Sequence, residues 1–249
     1  MNSAQTDQKN PLSGRVALVT GASSGIGRAV SLALAREGAE ILAVGRKADA
    51  LAEAVAAARA LSDATGFLID LSAPDAIQPL VKHLEKDARG LDILVHCAGL
   101  FHQDLMRDAR LEDFDAQYAV NVRAPYLLTK ALLPMLAAAR GQIVFMNSSV
   151  GLAAKRAEIG QYGATKHALR AIADSLREEV NPKGIRVLSL YLGRTATPMQ
   201  QSLYRTEGKD YHPKTLIQPE DVASVVVQAL MLPGTAEITD ISMRPMQKS

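Results

Sequence analysis

The chain has 249 residues, of which 48% are apolar, so it can bury a substantial core. Its 28 basic and 26 acidic side chains leave a formal net charge of +2, which excludes the strongly basic composition expected of a nucleic-acid-binding protein. A single cysteine, Cys97, excludes a disulfide within the chain and favours a reducing, cytoplasmic location.

Residues 1–13 are polar and lack the apolar stretch of a signal peptide, so we expect a flexible N-terminal tail. No apolar run approaches the ~18 residues that a membrane span needs, and we therefore expect no membrane partner. The five histidines are scattered without metal-ligand spacing, so no metal is expected.

After the tail, short β-rich runs alternate with longer helical patterns. The predicted strands are Arg15–Thr20, Glu40–Gly45, Gly66–Asp70, Asp92–His96, Gln142–Asn147, Arg186–Tyr191 and Glu237–Met243. The predicted helices are about Gly25–Arg36, Lys47–Leu61, Pro74–Asp87, Leu111–Ala139, Ile159–Val180 and Pro219–Leu232. The alternation predicts an α/β fold: one doubly wound domain over residues 14–249, with a seven-stranded parallel sheet and helices on both faces.

Residues 195–218 interrupt this alternation. The segment contains Pro198, Gly208 and Pro213 and shows little periodicity. Long loops inside a domain are usually functional, so we interpret this one as a lid over a substrate. The alternative is a passive surface insertion.

The first predicted strand runs directly into a glycine-rich turn, Gly21-Ala-Ser-Ser-Gly25-Ile-Gly27, which a helical pattern follows. Gly21 suits the tight turn, Gly25 leaves room for a pyrophosphate, and Gly27 allows the helix to pack closely on the sheet. The N–H groups at the start of the helix would then face the phosphates. The context predicts a Rossmann-type dinucleotide site.

The second predicted strand ends where the adenosine ribose of a dinucleotide would lie. NAD sites usually carry an acidic residue there, whereas this chain has Gly45 followed by Arg46 and Lys47. These cations suit a 2′-phosphate, which predicts NADP(H) over NAD(H), although NAD(H) remains possible. Alternatively, they begin a solvated helix. Asp70, after the third strand, either accepts a hydrogen bond from adenine or caps the helix near Ala73.

Tyr162 and Lys166 lie four residues apart in a predicted helix, so their side chains share a face. A free tyrosine has a pKa near ~10, and a neighbouring ammonium is expected to lower it towards the range of acid–base catalysis. Ser148 follows the fifth strand at the edge where parallel sheets bind ligands. A serine hydrolase is disfavoured, because no G-x-S-x-G motif surrounds Ser148.

These motifs together resemble the short-chain dehydrogenase/reductase superfamily over residues 12–246. The glycine turn resembles its cofactor motif, Tyr162-Gly-Ala-Thr-Lys166 its catalytic Tyr-x-x-x-Lys, and Asn121 its proton-relay asparagine. The resemblance implies that Tyr162 exchanges the proton with a carbonyl or alcohol oxygen, that Ser148 stabilises that oxygen, and that Lys166 lowers the tyrosine pKa and binds the nicotinamide ribose. It further implies that Asn121 holds a water linking Lys166 to solvent.

The resemblance also implies a set of cofactor-binding residues along the carboxyl edge of the sheet. They are Gly21, Ser23, Ser24, Gly25, Ile26, Gly27, Arg46, Lys47, Asp70, Leu71, Ala98, Gly99, Tyr162, Lys166, Gly193, Thr195 and Thr197.

Several positions depart from the family pattern. The usual Asn-Asn-Ala-Gly appears as His96-Cys97-Ala98-Gly99, and we expect both His96 and Cys97 to be structural. The usual Pro-Gly after the sixth strand appears as Leu192-Gly193, which is expected to loosen that turn.

The serine assignment has two readings. The spacing that the family usually shows between its catalytic serine and the neighbouring glycines, here Gly141 and Gly151, selects Ser148. The usual spacing between that serine and the catalytic tyrosine, here Tyr162, selects Ser149. We favour Ser148.

The sequence therefore predicts an NADP(H)-dependent oxidoreductase acting on a carbonyl or secondary alcohol of a small-molecule substrate that the sequence does not identify. The alternative is an NADP(H)-binding sensor without turnover, although such proteins tend to lose the tyrosine or lysine. An epimerase or dehydratase is disfavoured by the few residues after the last strand. The resemblance also implies a homodimer or homotetramer, formed through the helices 111–139 and 162–180.

Overall fold

Seven parallel strands form the centre of the computed structural model, which describes residues 10–87 and 90–247. The strands are β1 (Val16–Thr20), β2 (Glu40–Gly45), β3 (Ala64–Leu68), β4 (Ile93–His96), β5 (Gln142–Ser148), β6 (Arg186–Leu192) and β7 (Asp240–Met243). Their order in the sheet is β3-β2-β1-β4-β5-β6-β7, and every neighbouring pair is parallel. The predicted seven-stranded parallel sheet is confirmed.

Helices connect the strands. They are α1 (Gly25–Arg36), α2 (Ala48–Arg59), α3 (Ile77–Asp87), α4 (Leu111–Tyr118), α5 (Ala124–Ala139), α6 (Gly160–Val180), α7 (Pro198–Thr206) and α8 (Pro219–Leu230). In the part of the chain that the structure describes, no helix is both long and apolar enough to cross a bilayer.

Two apolar layers cover the sheet, which explains why its central strands are apolar throughout. Every residue of β1 is buried, and its side chains alternate between the layers, with Val19 on one face and Leu18 on the other. Helices α1, α2 and α8 pack on the Val19 face, and helices α3, α5 and α6 pack on the Leu18 face. The domain is therefore doubly wound, as predicted.

The strand order reverses between β1 and β4, because the chain moves outwards from β1 to β3 and then returns to the other side of β1. A crevice opens at such a switch point, beyond the carboxyl ends of the strands. The turns that follow β1, β4, β5 and β6 all lie at this edge, so they carry the candidate site.

Most predicted elements differ from the observed bounds by one to three residues, and two differences have a structural cause. The third strand begins at Ala64, two residues before the predicted start, because β3 is an edge strand with alternately exposed residues, and apolarity alone does not mark its start. The predicted helix Leu111–Ala139 is divided by a π-helical turn over Ala119–Arg123.

The predicted irregular segment 195–218 contains a helix, α7. Thr197 caps it by accepting a hydrogen bond from the N–H of Gln200 at 3.2 Å, and Pro198 occupies its first position. At the other end of the chain, Leu12 is buried and its N–H donates to the carbonyl of Glu37 at 2.9 Å. The domain therefore includes residues 10–13 of the predicted tail, and the rest of that tail lies outside the described residues.

Candidate active site

Each glycine of the turn after β1 occupies a position where a side chain would not fit. Gly21 has φ +67°, and a Cβ atom there would lie 2.9 Å from the backbone of Ala98. A Cβ atom on Gly27 would lie 2.3 Å from the carbonyl oxygen of Gly21. Gly25 has φ +51° and faces Thr197 across the crevice, so that a Cβ atom on Gly25 would lie 3.1 Å from Thr197 Cγ2. The backbone of this turn is therefore packed as closely as in the glycine-rich turn of a dinucleotide-binding site.

The start of α1 is available to an anion. Ser24 is its N-cap residue, is exposed, and makes no side-chain capping hydrogen bond. The first N–H groups of the helix are therefore not capped by that side chain, and they carry the positive end of the helix dipole. Ser23 lies beside Gly45 at the end of β2, where a Cβ atom would be 3.2 Å from Ser23 Oγ, so the two turns meet at the crevice.

Arg46 and Lys47 follow β2 and are exposed at the crevice edge. Asp70 accepts hydrogen bonds from the N–H and the hydroxyl of Ser72, at 2.9 and 2.8 Å. These bonds, together with the charge of Arg46, hold the pKa of Asp70 below its usual value. Asp70 therefore stabilises a local turn, and the predicted capping role near Ala73 is wrong because Asp70 is bonded to Ser72 instead. Leu71 is buried.

A single hydroxyl fixes the turn after β4. Thr20 Oγ1, at the end of β1, accepts hydrogen bonds from the N–H groups of Cys97 and Ala98, each at 3.1 Å. It donates to the carbonyl of Val95 at 3.4 Å. Ala98 therefore lies against the glycine turn, whereas a Cβ atom on Gly99 would lie 3.6 Å from Asn121 Oδ1. Their role in cofactor binding stays a prediction.

Ser148 ends β5 and is half-buried, whereas Ser149 is exposed and starts a short 3-10 turn. Burial raises the pKa of the Tyr162 phenol to about 12, and a hydrogen bond with Ser148 opposes that rise. The structure therefore brings Ser148, and not Ser149, to the phenol.

Lys166 lies one helical turn beyond Tyr162 and is buried. Its Nζ donates to the carbonyl of Met146 at 3.0 Å and lies 5.7 Å from the centre of the Tyr162 ring. Burial lowers the pKa of Lys166 to about 8. That Lys166 lowers the pKa of Tyr162 stays a prediction: in this conformation the ammonium donates to a backbone carbonyl, and burial is the main influence on the pKa of the phenol.

Asn121 lies in the π-helical turn, and its side-chain amide makes hydrogen bonds to other segments of the domain. The Nδ2 group donates to the carbonyl of Leu100 at 2.8 Å and to the hydroxyl of Thr165 at 3.1 Å. The Oδ1 atom accepts from the N–H of Leu100 at 2.8 Å. The amide thus joins the loop after β4 to helix α6, next to Lys166.

The residues after β6 complete the crevice. Leu192 continues β6 in register with Met243, and the N–H of Gly193 donates to the carbonyl of Met243 at 2.8 Å. The expected loosening at the missing proline is therefore wrong, since the strand pairs through this position. Thr195 is buried and pairs with Ile217, and Thr197 faces Gly25 as described.

Phe101 was missed by the sequence reasoning. Its ring lies edge-on to that of Tyr162, with 4.6 Å between centroids, so it forms a wall beside the phenol. The available signal was an apolar residue two positions after Gly99, at the edge of the sheet that binds ligands.

His96 has the structural role that was predicted. It is buried, shares a 2.8 Å hydrogen bond between Nε2 and Thr129 Oγ1, and stacks on Phe145 with 4.9 Å between centroids. Burial lowers the pKa of His96 to about 3 and raises that of the Cys97 thiol to about 12, so both stay neutral.

Comparison with known proteins agrees with this geometry. The family model for short chain dehydrogenases matches residues 15–208. Glycine betaine reductase ATRR of Emericella nidulans is 33% identical over 247 residues, which are 95% of this chain but 19% of that much longer protein. The uncharacterized oxidoreductase SERP2049 of Staphylococcus epidermidis is 32% identical, over 93% of this chain and 97% of its own length.

Solved structures have the same fold. A short chain dehydrogenase from Burkholderia cenocepacia, determined in complex with NADP, superposes with a TM-score of 0.83 at 31% identity, covering 94% of this chain and 98% of that one. Since the family model also covers most of the chain, the protein belongs to the short-chain dehydrogenase/reductase family of oxidoreductases.

Proposed function

We propose that the protein transfers a hydride between NADP(H) and a carbonyl or secondary alcohol of a small substrate, with Tyr162 as the acid–base catalyst. The observation that carries this proposal is the meeting of Ser148 and the half-buried Tyr162 phenol at the carboxyl edge of the sheet, one helical turn from Lys166. A proton donor, a second hydroxyl and a cation thereby surround the place where oxygen charge develops.

The residues present fit the cofactor. The glycine turn is packed too closely for side chains at Gly21 and Gly27, as in a dinucleotide-binding turn, and the start of α1 offers N–H groups to the diphosphate. Arg46 is exposed beside Asp70 and suits a 2′-phosphate, which supports NADP(H) as the preferred cofactor. The Burkholderia relative binds NADP in the same fold.

The reduced cofactor supplies the hydride for carbonyl reduction. With a pKa of about 12, Tyr162 is protonated at neutral pH, which is the state that can donate to a carbonyl oxygen. The Ser148 hydroxyl donates to the same oxygen and stabilises the charge that develops there. Lys166, positioned beside the phenol, favours the phenolate that remains after donation. Asn121 supports Lys166 through helix α6 and is proposed to position a water for proton exchange.

The test follows the absorbance of NADPH, and then of NADH, with a panel of ketones, quinones, sugars and steroids. Wild type should oxidise NADPH with at least one carbonyl compound, and Tyr162→Phe should lose that turnover. Tyr126→Phe is the matched control, because it removes an exposed hydroxyl on α5. NADPH binding without turnover on any compound would instead favour the NADP(H)-binding sensor.

We also propose a homodimer or homotetramer in the cytoplasm. The helices predicted to form the interface expose large apolar side chains, with Leu111 68%, Tyr118 47% and Tyr126 49% exposed. Light scattering at micromolar concentration should give a mass of two or four chains, and a monomer would refute the assembly.

A further inference from the structure

Glu207, the residue that follows α7, has a nearly buried carboxylate held by three cations. Its side chain is 6% exposed. Oε1 accepts from Arg156 at 3.0 Å, and Oε2 accepts from Arg194 at 3.3 Å and from Lys209 at 2.8 Å. We refer to these four residues as the Glu207 cluster.

The cluster joins segments that are distant in sequence and that surround the catalytic cleft. Arg156 lies in the connection between Ser148 and Tyr162, and Arg194 follows the end of β6. Arg156 also donates to Gln103 at 3.3 Å, two residues beyond the Phe101 ring that contacts Tyr162. Glu207 therefore connects the end of α7 to the segment after β6 and, through Arg156, to the loop that carries Phe101.

Helix α7 has little apolar contact to hold it in place. Tyr204 is its only buried residue, and Arg194 lies over the Tyr204 ring, 4.8 Å from its centroid. Burial would raise the pKa of Glu207, but the hydrogen bonds from Lys209 and Arg156 and the charge of Arg194 bring it below its usual value. The carboxylate is thus ionised, and a buried carboxylate paired in this way is costly to separate from its partners.

The first turn of α7 reaches the crevice from the opposite end. Thr197 lies against Gly25, and a Cβ atom on Gly99 would lie 4.0 Å from Met199 Cε. Any shift of α7 therefore changes the space between the glycine turn and the substrate side of the cleft.

We propose that Glu207 is a positioning residue, which holds α7 over the cleft through its ion pairs and thereby sets substrate affinity. The proposal rests on the proposed function for its effect on substrate, whereas the attachment of α7 is a property of the fold alone. Glu207 would thereby hold the predicted lid, residues 195–218, through its ion pairs.

The first experiment measures the attachment without turnover. Trypsin can cleave at Arg205, Lys209 and Lys214 in this segment, and we compare the cleavage rate of wild type with that of Glu207→Gln. We expect at least threefold faster cleavage in the variant at a temperature well below its melting temperature, so that local release of α7 is measured and not global unfolding. Glu178→Gln, which removes an exposed carboxylate on α6, is the matched control and should be cleaved at the wild-type rate.

The second experiment measures steady-state kinetics with a substrate found for the wild type. Glu207→Gln should raise KM about tenfold, the equivalent of one charge-assisted hydrogen bond, and change kcat by less than about twofold. Arg156→Gln should raise KM as well, and the double variant should be no worse than Glu207→Gln, since both changes remove one interaction.

The outcomes separate this proposal from the proposed function. Unchanged cleavage and unchanged KM in Glu207→Gln overturn the positioning role, as does a fall in kcat with KM constant. Absence of turnover in the wild type would refute the proposed function. Faster cleavage of Glu207→Gln would still support the attachment of α7 by Glu207.

Discussion

Gly27 offers a direct test of the glycine turn. An alanine there would place its Cβ atom 2.3 Å from the carbonyl oxygen of Gly21, about 0.7 Å inside the 3.0 Å that real Cβ contacts respect. The atom in the way is backbone, so the turn or α1 must move. Overpacking of this kind costs ~1–3 kcal/mol, and about 2 kcal/mol in a domain of this size lowers the melting temperature by roughly 6 °C.

The displaced turn would also misplace the N–H groups that face the diphosphate, so NADPH should bind at least about tenfold more weakly. Fluorescence titration with NADPH and thermal unfolding measure the two effects. Gly160→Ala is the control, because it makes the same change at the start of α6 with nothing within 4 Å of the new atom. If Gly27→Ala melts and binds NADPH as Gly160→Ala does, the steric reasoning is refuted.

Three further predictions concern single side chains. Arg46→Ala should weaken NADPH binding about tenfold to a hundredfold and leave NADH binding unchanged in titrations, since only NADPH carries the 2′-phosphate; equal losses would contradict the assignment. Ser148→Ala should lower kcat by about a hundredfold, and Ser149→Ala by less than about threefold, with the opposite order pointing to Ser149. His96 stays neutral in the folded state, with a pKa of about 3, but takes up a proton below its ordinary value of 6.5 when unfolded. The free energy of unfolding therefore falls as the pH drops below that value, and His96 accounts for about 2 kcal/mol of this fall at pH 5. In urea unfolding, the free energy of His96→Asn should fall by about 2 kcal/mol less than that of wild type over the same pH range. Equal falls in the two proteins would contradict this.

Local sequence patterns predict the structure correctly where residues adjacent in the sequence determine it. Helix α1 has the predicted bounds, Gly25–Arg36, because the glycine turn fixes its start. Helix α7 also carries a local start signal, a threonine followed by proline at positions 197 and 198, which the surrounding prolines and glycine obscure.

Other features depend on contacts between distant segments. The π-helical turn at Ala119–Arg123 accompanies the pairing of Asn121 with Leu100, which no periodicity reveals. Two features of the site depend on the packing of α6 against β5: the hydrogen bond from Lys166 to Met146 and the burial that raises the pKa of Tyr162. The Glu207 cluster likewise joins charges that lie far apart in the sequence, since Arg156 and Glu207 are separated by 51 positions.

The two hydrogen bonds accepted by Thr20 make the loop after β4 depend on a single side chain. One hydroxyl on the central strand anchors the two N–H groups that begin the loop after β4. These bonds use backbone N–H groups, so the side chains at positions 96 and 97 take no part in them. Loss of the Thr20 hydroxyl would therefore release both N–H groups at once and loosen Ala98 against Gly21, whichever side chains occupy positions 96 and 97.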